Sequence, residues 1–408
     1  MTPAKTSYAT HFLSAGLFVC ALAALAPAAG AATESVVYSF QDNGNDGVVP
    51  DASLIDVNGT LYGTTEYGGT GHCQGGCGTI FSVNAATGAE TILHDFEGFE
   101  RTINIPGSLI ALKGGLLFGT ALYGGHRDGG MLFSLDLQSG HYKQRHDFCE
   151  LYDCMDGEAP NPGLLESQGT IYGTTNEGGV NGGGTVFSFD RKTRAETVLY
   201  SFCSGCQLGG GLLGVKGTLY GTTAYGNGAV FSLDPSSGVE SIIYYFCTRD
   251  YCEDGARPNG NLIHINRTLY GTTNAGGSYN LGTVFSIRLK RDHETVLHAF
   301  AGGADGRSPD SGLIEVNGML YGTTPTGGSS GTACLTGEGC GTVYSIDPNT
   351  GAETIVYSFC SQAGCADGDD PAPGLVYADG TLYGVTEYGG SGTCNGYGGC
   401  GTVFAITP

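Results

Sequence analysis

Leu269-Tyr270-Gly271-Thr272-Thr273 is one of seven copies of a single phrase, and its recurrence decides how the chain is built. The others are Leu61 to Thr65, Leu117 to Ala121, Ile171 to Thr175, Leu219 to Thr223, Leu320 to Thr324 and Leu382 to Thr386. Their central glycines lie 56, 54, 48, 50, 51 and 62 residues apart, the period of an array in which each repeat is one small sheet.

Working outward from the Leu269 copy, an apolar segment (Asn261 to Ile265) and a tight turn (Asn266-Arg267) precede it. A glycine-rich loop follows, then Gly282-Thr283-Val284-Phe285-Ser286-Ile287, a polar turn, and Glu294-Thr295-Val296-Leu297-His298. β-branched and aromatic runs punctuated by Gly, Asn, Asp and Pro favour strands, because those side chains fit a pleated, half-buried surface and the punctuation accepts turn dihedrals. Each repeat therefore reads as four antiparallel strands, and the chain as all-β.

The two ends of the repeat array supply closure. The last repeat ends at Thr402-Val403-Phe404-Ala405-Ile406 without a fourth strand, whereas Glu34-Ser35-Val36-Val37-Tyr38-Ser39-Phe40 is a fourth strand with no repeat before it and resembles Glu353 to Phe359. Completing the last blade with the N-terminal strand removes an exposed sheet edge. This predicts one seven-bladed β-propeller over residues 33–408. Glycine, at 73 of 408 residues, recurs at fixed repeat positions, and 23 Tyr and 18 Phe are available to fill the spaces between blades.

Residues 1–31 differ. Lys5 is their only charge, Phe12 to Ala26 is an apolar run, and Ala29-Gly30-Ala31 offers small residues for cleavage, the pattern of a secretory signal peptide. Export predicts disulfides. Setting aside Cys20, the cysteines fall into seven neighbouring pairs: Cys73/Cys77, Cys149/Cys154, Cys203/Cys206, Cys247/Cys252, Cys334/Cys340, Cys360/Cys365 and Cys394/Cys400. Three pairs lie between second and third strands and four between blades, so all seven are expected to decorate one rim, the rim with the long loops. Cys203 and Cys206 form a CxxC without a second one to complete a zinc set, so no metal site is expected from the cysteines.

The combination of Leu-Tyr-Gly-Thr-Thr, a Gly-Gly pair, Gly-Thr-Val-Phe-Ser, Glu-Thr-Val-Leu-Tyr-Ser-Phe and Asp-Gly-x-x-Pro resembles the GloVer tandem-repeat family of exported bacterial proteins. The resemblance covers the whole chain after the leader and brings no catalytic activity with it. Members often carry a C-terminal surface-sorting domain; none is read here, so the expected location is secreted or periplasmic, without an anchor. WD-type propellers are disfavoured because the chain has no Trp.

Recurrence separates scaffold from site. Asp46, Asp156, Asp254, Asp305 and Asp367 each open Asp-Gly-x-x-Pro and are expected to cap backbone N–H groups; the competing reading is calcium, since Asp42 to Asp51 and Asp367 to Asp370 concentrate oxygen ligands. His94, His146 and His298 stand on fourth strands of three different blades, too far apart for a zinc triad, and are expected to pack with their polar tips toward water. Glu34, Glu90, Glu196, Glu240, Glu294 and Glu353 recur at the start of that strand and are read as structural. Gly327-Gly328-Ser329-Ser330-Gly331 satisfies GxSxG but lacks the strand-to-helix turn of a nucleophile elbow.

The blades differ just after the phrase, where Glu66, Tyr67, Tyr123, Glu177, Tyr225, Glu387 and Tyr388 stand. Such groups either stack on and hydrogen-bond a sugar, or cover the glycine pair that follows. With 17 basic and 39 acidic residues, net −22, the surface repels phosphate backbones and anionic lipid, so nucleic-acid binding and membrane insertion are not expected. The expected function is a monomeric, non-catalytic binding propeller for a glycan or a protein. The alternative is an extracellular carbohydrate-active enzyme using Glu66, Glu177 and Glu387 as acid and base.

Overall fold

The computed structural model describes Met1 and residues 32–73, 75–97, 107–290, 293–328, 334, 337–394 and 398–408. Residues 2–31, where the signal-peptide expectation falls, and Ser329, Ser330 and Gly331 of the GxSxG match lie outside the described residues.

Seven antiparallel blades follow one another in chain order, with a two-stranded pairing of Gly47–Val48 and Tyr67–Gly68 beside the first. The first blade runs Ile55–Val57, Thr60–Thr65, Thr79–Asn84 and Glu90–Asp95, from the innermost strand outward. Blades two to six repeat this order and end on Tyr142–Asp147, Glu196–Ser201, Val239–Tyr245, His293–Ala299 and Glu353–Ser358. The seventh is built from Val376–Ala378, Thr381–Tyr388 and Thr402–Thr407, and its outer strand is Thr33–Ser39 from the other end of the chain. The closing register pairs Thr33 with Thr407, Val36 with Phe404 and Ser39 with Thr402. The protein is a seven-bladed β-propeller closed by its N-terminal strand.

Each letter of the recurrent phrase has a physical task. Its leucine is buried in the core of its blade, as at Leu61 and Leu269. Its glycine lies under an aromatic ring: a Cβ on Gly271 would stand 2.7 Å from Phe285 Cζ and 2.8 Å from Leu262 Cδ2. The first threonine reaches the next blade, as Thr120 Oγ1 donates to Asn161 O (3.0 Å) and Thr272 Oγ1 to Ser311 O (2.8 Å). The second bonds the third strand of its own blade, as in Thr65 to Thr79 (2.9 Å) and Thr386 to Thr402 (2.9 Å). Blade seven has Val385 in place of the first threonine, and there Ser53 Oγ donates to Pro373 O (2.6 Å) across the junction with blade one.

Aromatic pairs close every junction. The phenylalanine that follows each outer strand meets the third-strand ring of the next blade: Phe40 with Phe81, Phe96 with Phe133, Phe148 with Phe187, Phe202 with Phe231, Phe246 with Phe285, Phe300 with Tyr344 and Phe359 with Phe404, at 4.9–5.4 Å between centroids and steeply inclined planes. Edge-to-face contacts of this kind add about 0.5–1.5 kcal/mol each beyond the area buried. A β-bulge in every fourth strand, such as that between Val36 and Tyr38, turns the later residues to the opposite face.

All seven cysteine pairs are bonded as the sequence predicts. The loops and the inter-blade connections that carry them meet on a common rim: Gly179, Gly277 and Gly390, from second-to-third-strand loops, donate to the carbonyls of Cys154, Cys252 and Cys365 at 2.9 Å each. Cys77, Cys340 and Cys400 are fully buried, so the Cys73–Cys77, Cys334–Cys340 and Cys394–Cys400 bridges are anchored in the core beneath the rim. The reason is position: each of these three stands two residues before a third strand and packs in the same core cluster as the phenylalanine that follows an outer strand, Phe96 for Cys77, Phe359 for Cys340 and Phe40 for Cys400. Two glycines make room for the sulfur, since a Cβ on Gly71 would stand 2.7 Å from Cys77 Sγ and one on Gly392 2.9 Å from Cys400 Sγ. These three bridges therefore join loop to core and present little to a ligand. No described helix is long and apolar enough to cross a membrane.

Candidate functional site

The Asp-Gly-x-x-Pro segment leads from an outer strand back to the axis. Its aspartate ties the turn as expected: Asp254 accepts from Thr248 N (2.9 Å), and Asp367 from Ser361 N (2.8 Å) and Gln362 N (3.1 Å). The segment then pairs with the end of the second strand, as Glu158 does with Glu177 and Asp369 with Tyr388. The residue after the proline is thereby delivered to the ring's centre.

A cavity of about 370 Å³ lies there, and every blade contributes to it: Asp51, Ser108, Asn161, Gly209, Asn259, Asp310 and Pro373, in blade order. Leu122 and Asn176, from the stretch just after the recurrent phrase, also line it, which places its mouth on the loop-bearing rim. Its wall is uneven. Blades three to five present amides, glycines and prolines, whereas blades six and one bring up Asp310 and Asp51; Asp370, Glu387 and Glu66 act electrostatically on that side without lining the cavity.

These five carboxyls feel one another. Burial first, and then Asp370, Asp51, Asp310 and Glu66, push Glu387 up to about 9. Burial and Glu66 raise Asp51 to about 7; burial, Asp310 and Asp369 raise Asp370 to about 7; burial raises Asp310 to about 6. Burial raises Glu66 too, partly offset by a hydrogen bond from Tyr67. None of the described groups acting on the five is cationic.

The structure thus brings together two sequence-derived candidates, Glu66 and Glu387, with Tyr67 and Tyr388 half-buried against the core beside them. It does not bring the rest. Glu177 is exposed on blade three opposite Glu158, and Tyr123 and Tyr225 are exposed on blades two and four, the Tyr225 ring lying over Gly205. Asp51 and Asp370 fall within the two oxygen-rich stretches read from sequence. Asp310 was not singled out, although it could have been: it holds the post-proline position where two other blades carry Asn161 and Asn259.

One expectation for the histidines needs correction. They stay on three separate outer strands, but the tips of His298 and His146 do not face water. His298 Nε2 is hydrogen-bonded to Asp305 (3.0 Å), His146 Nε2 is buried, and His94 stacks on Tyr142 at 3.8 Å. The reason is the junction itself. At other junctions a tyrosine bridges the same two carboxyls, as Tyr357 Oη does to Asp367 (2.8 Å) and to Glu34 of the neighbouring strand (3.3 Å). His298, Asp305 and Glu353, whose ligand atoms lie within 4.8 Å of one another, are this same cluster with histidine for tyrosine.

The Gloeobacter/Verrucomicrobia repeat model matches residues 21–155, 74–253 and 250–404. The chain belongs to the Gloeobacter/Verrucomicrobia repeat family. No curated protein matches it. Among solved structures, the extracellular domain of BT4673 from B. thetaiotaomicron is similar over 92% of this chain and 39% of that one, at 11% identity and a TM-score of 0.59. The extracellular domain of BT3049 from the same organism is similar over 92% and 41%, at 12% identity and a TM-score of 0.55. The chain spans about two fifths of those chains, and the likeness is one of fold. For this repeat-family member, seven disulfides indicate an oxidising, extracytoplasmic compartment.

Proposed function

We propose that this repeat-family propeller is an exported, non-catalytic recognition protein that holds a glycan, or a segment of a surface protein, over the mouth of its central cavity. The leader in residues 1–31 would direct export to the periplasm or beyond. The observation that carries the reading is the cavity itself: seven blades converge on about 370 Å³ lined by prolines and glycines with a few placed amides and the carboxyls of Asp51 and Asp310, the kind of concave, mainly apolar surface with convergent polar groups that accepts a small ligand such as a sugar. Glu66, Tyr67, Glu387 and Tyr388 would contact the ligand at the acidic side, and the exposed Tyr123, Tyr225 and Glu177 would extend the surface along the rim. The likeness to two extracellular domains is in keeping with a binding role outside the cytoplasm.

A glycan array probed with the purified protein, run beside a product assay on the bound glycans, tests this. Binding without turnover, weakened by Tyr67→Ala or Tyr388→Ala, is the expected result. No binding to any glycan or surface-protein extract would overturn it.

One observation favours the enzymatic reading. Glu387 keeps its proton up to about pH 9 beside lower-lying carboxyls, and a protonated acid next to a carboxylate is the pairing that glycoside cleavage employs. Glycan cleavage abolished by Glu387→Gln would establish it. Glu177, facing Glu158 on blade three, takes no part in that coupling.

A further inference from the structure

We propose that a basic pocket at the junction of blades two and three is a second binding site, one that takes the carboxylate of an acidic sugar. It lies at the turns opposite the loop-bearing rim, since Gly169 belongs to the first-to-second-strand turn of blade three and Arg191 and Lys192 to its third-to-fourth-strand turn. It shares no residue with the central cavity, so its failure would leave the recognition reading untouched.

This junction departs from the repeat at several facing positions together. The residue skipped by each outer-strand bulge is aliphatic six times, as Val37, Leu93, Leu199, Ile243, Leu297 and Val356, and packs against the junction core. Blade two has Arg145 there. In the facing turn of blade three, Arg191 stands where the other blades carry Ala85, Leu137, Pro235, Leu289 and Pro348. Arg194 holds a φ of 61° in a place that blades one, two, four and six give to glycine. The tyrosine of the recurrent phrase becomes Phe118, and a third-strand aliphatic residue becomes Phe189. A scaffold that closes six junctions with an aliphatic plug does not need arginine in that position.

The substitutions meet. The guanidinium carbons of Arg145 and Arg191, from two different blades, lie 5.6 and 5.9 Å from the centre of the Phe118 ring. With Leu116, Gly169, Phe189 and Lys192 they line a pocket of about 230 Å³. Arg145 Nε donates to Ser134 Oγ (2.6 Å), which fixes the side chain and leaves its terminal nitrogens without a partner among the described residues. Arg191 Nε is sealed from solvent and likewise has no partner among them. No ion pair among the described residues includes Arg145, Arg191, Lys192 or Arg194, and the charges acting on Arg145 are those of Arg194 and Arg191. The nearby acids are committed to their own turns: Glu166 accepts from Gly169 N (2.7 Å), and Asp190 from Lys192 N (2.7 Å) and Thr193 N (2.8 Å). Like charges gathered at one junction of a chain of net charge −22 call for a bound anion.

The donors select its kind. Arginine's planar fork grips a carboxylate with two parallel hydrogen bonds, and two such forks beside an apolar wall suit one carboxylate on a compact ring with an apolar face, as a uronic acid has. The surrounding acidic surface repels a run of adjacent anions. A glycan in which uronate alternates with neutral sugar therefore fits better than nucleic acid or a strongly acidic peptide.

The test is calorimetric titration of the purified, disulfide-intact protein with an oligosaccharide in which glucuronate alternates with a neutral sugar, beside its carboxyl-reduced counterpart. Saturable binding of the acidic form alone, weakening as salt rises, is expected. Arg145→Leu and Arg191→Ala install residues that other blades use, so each should fold with undiminished Tm yet weaken the saccharide roughly tenfold or more, the loss of one charge-assisted hydrogen bond. Arg145→Lys, which keeps the charge without the fork, should recover only part of that loss. Lys216→Ala, which removes an exposed charge from a turn of blade four, should change nothing. Should one arginine variant fail to fold, the other and Arg194→Gly carry the test. Absence of heat at about 10 mM saccharide, well above a millimolar Kd, would overturn the proposal. So would equal binding of the carboxyl-reduced form, unchanged binding in the arginine variants, or tighter binding of free sulfate or an acidic peptide than of the saccharide.

Discussion

Replacing Glu90 with glutamine should stabilise the propeller at pH 8 and leave it nearly unchanged at pH 5. Glu90 begins the outer strand of blade one and faces Asp46, which accepts from Tyr38 Oη at 2.7 Å and from Gln41 N at 2.9 Å. Its Oε1 is buried without a hydrogen-bond partner among the described residues, and burial together with the Asp46 charge lifts the carboxyl from 4.5 to about 7. A carboxyl raised in the folded state contributes stability that is fully present below pH 4.5 and is lost as pH rises through about 7. At about 1.4 kcal/mol per pH unit the upper limit of that loss is roughly 3.4 kcal/mol. The side chain is half open to solvent, which screens the interaction, so about 1.5 kcal/mol is the working value. Glutamine has the shape of the protonated acid and never ionises. With an unfolding entropy of about 2.1 cal/mol/K per residue, the gain at pH 8 corresponds to roughly 2 °C in Tm. Glu196 and Glu353 are raised to the same value in separate junctions, so the triple variant should gain roughly 6 °C. Calorimetric melts of native and variant protein between pH 5 and pH 8 measure it. Equal destabilisation at both ends of that range would refute the reasoning, because the amide would then have removed a favourable carboxylate.

Three further outcomes are expected. Gly271→Ala should cost about 2–3 kcal/mol in a urea melt, since its Cβ overlaps Phe285 and Leu262 and neither ring nor branch has space to retreat; a neutral effect would mean the junction is loosely packed. Thr272→Val should cost about 1–2 kcal/mol by leaving the carbonyls of Asn259 and Ser311 short of a donor at 3.1 and 2.8 Å, whereas Ser, which keeps the hydroxyl, should recover most of it. Deleting residues 33–39 should expose the Thr402–Thr407 strand as a free edge and yield oligomers in size-exclusion chromatography; a stable monomer would show that the ring does not need its N-terminal strand.

The fold was legible because the same physical problem is solved seven times. The Leu-Tyr-Gly-Thr-Thr phrase is readable as a strand, and its repetition reveals which residues are scaffold even before the role of each letter is known. The unmatched fourth strand at Glu34 to Phe40 likewise announces closure. What remained opaque was the purpose of single substitutions within the pattern. Tyr344 for phenylalanine and Asp310 for asparagine look like tolerated variation in a list of repeats. Only their proximity in blade six, with two buried oxygens left unpartnered, makes them a pair. The histidines misled for the converse reason: the junction partner of His298 is Glu353, 55 positions away along the chain and one blade away in space. Burial of Cys77 and Cys400 was hidden in the same way, because spacing pairs two thiols but the phenylalanines that cover these, Phe96 and Phe40, arrive from other strands.

Local chemistry along the chain therefore determined the strands, the turns, the cystine pairs and the number of blades, because each depends on residues within about one repeat. Which side chains share the axis was decided by closure. Asp51 and Glu66 belong to the first blade, Asp370 and Glu387 to the last, and more than 300 residues separate them. They meet because hydrogen bonding of Thr33–Ser39 to Thr402–Thr407 bends the array into a ring, and electrostatic coupling depends on distance through space, to which sequence separation is no guide.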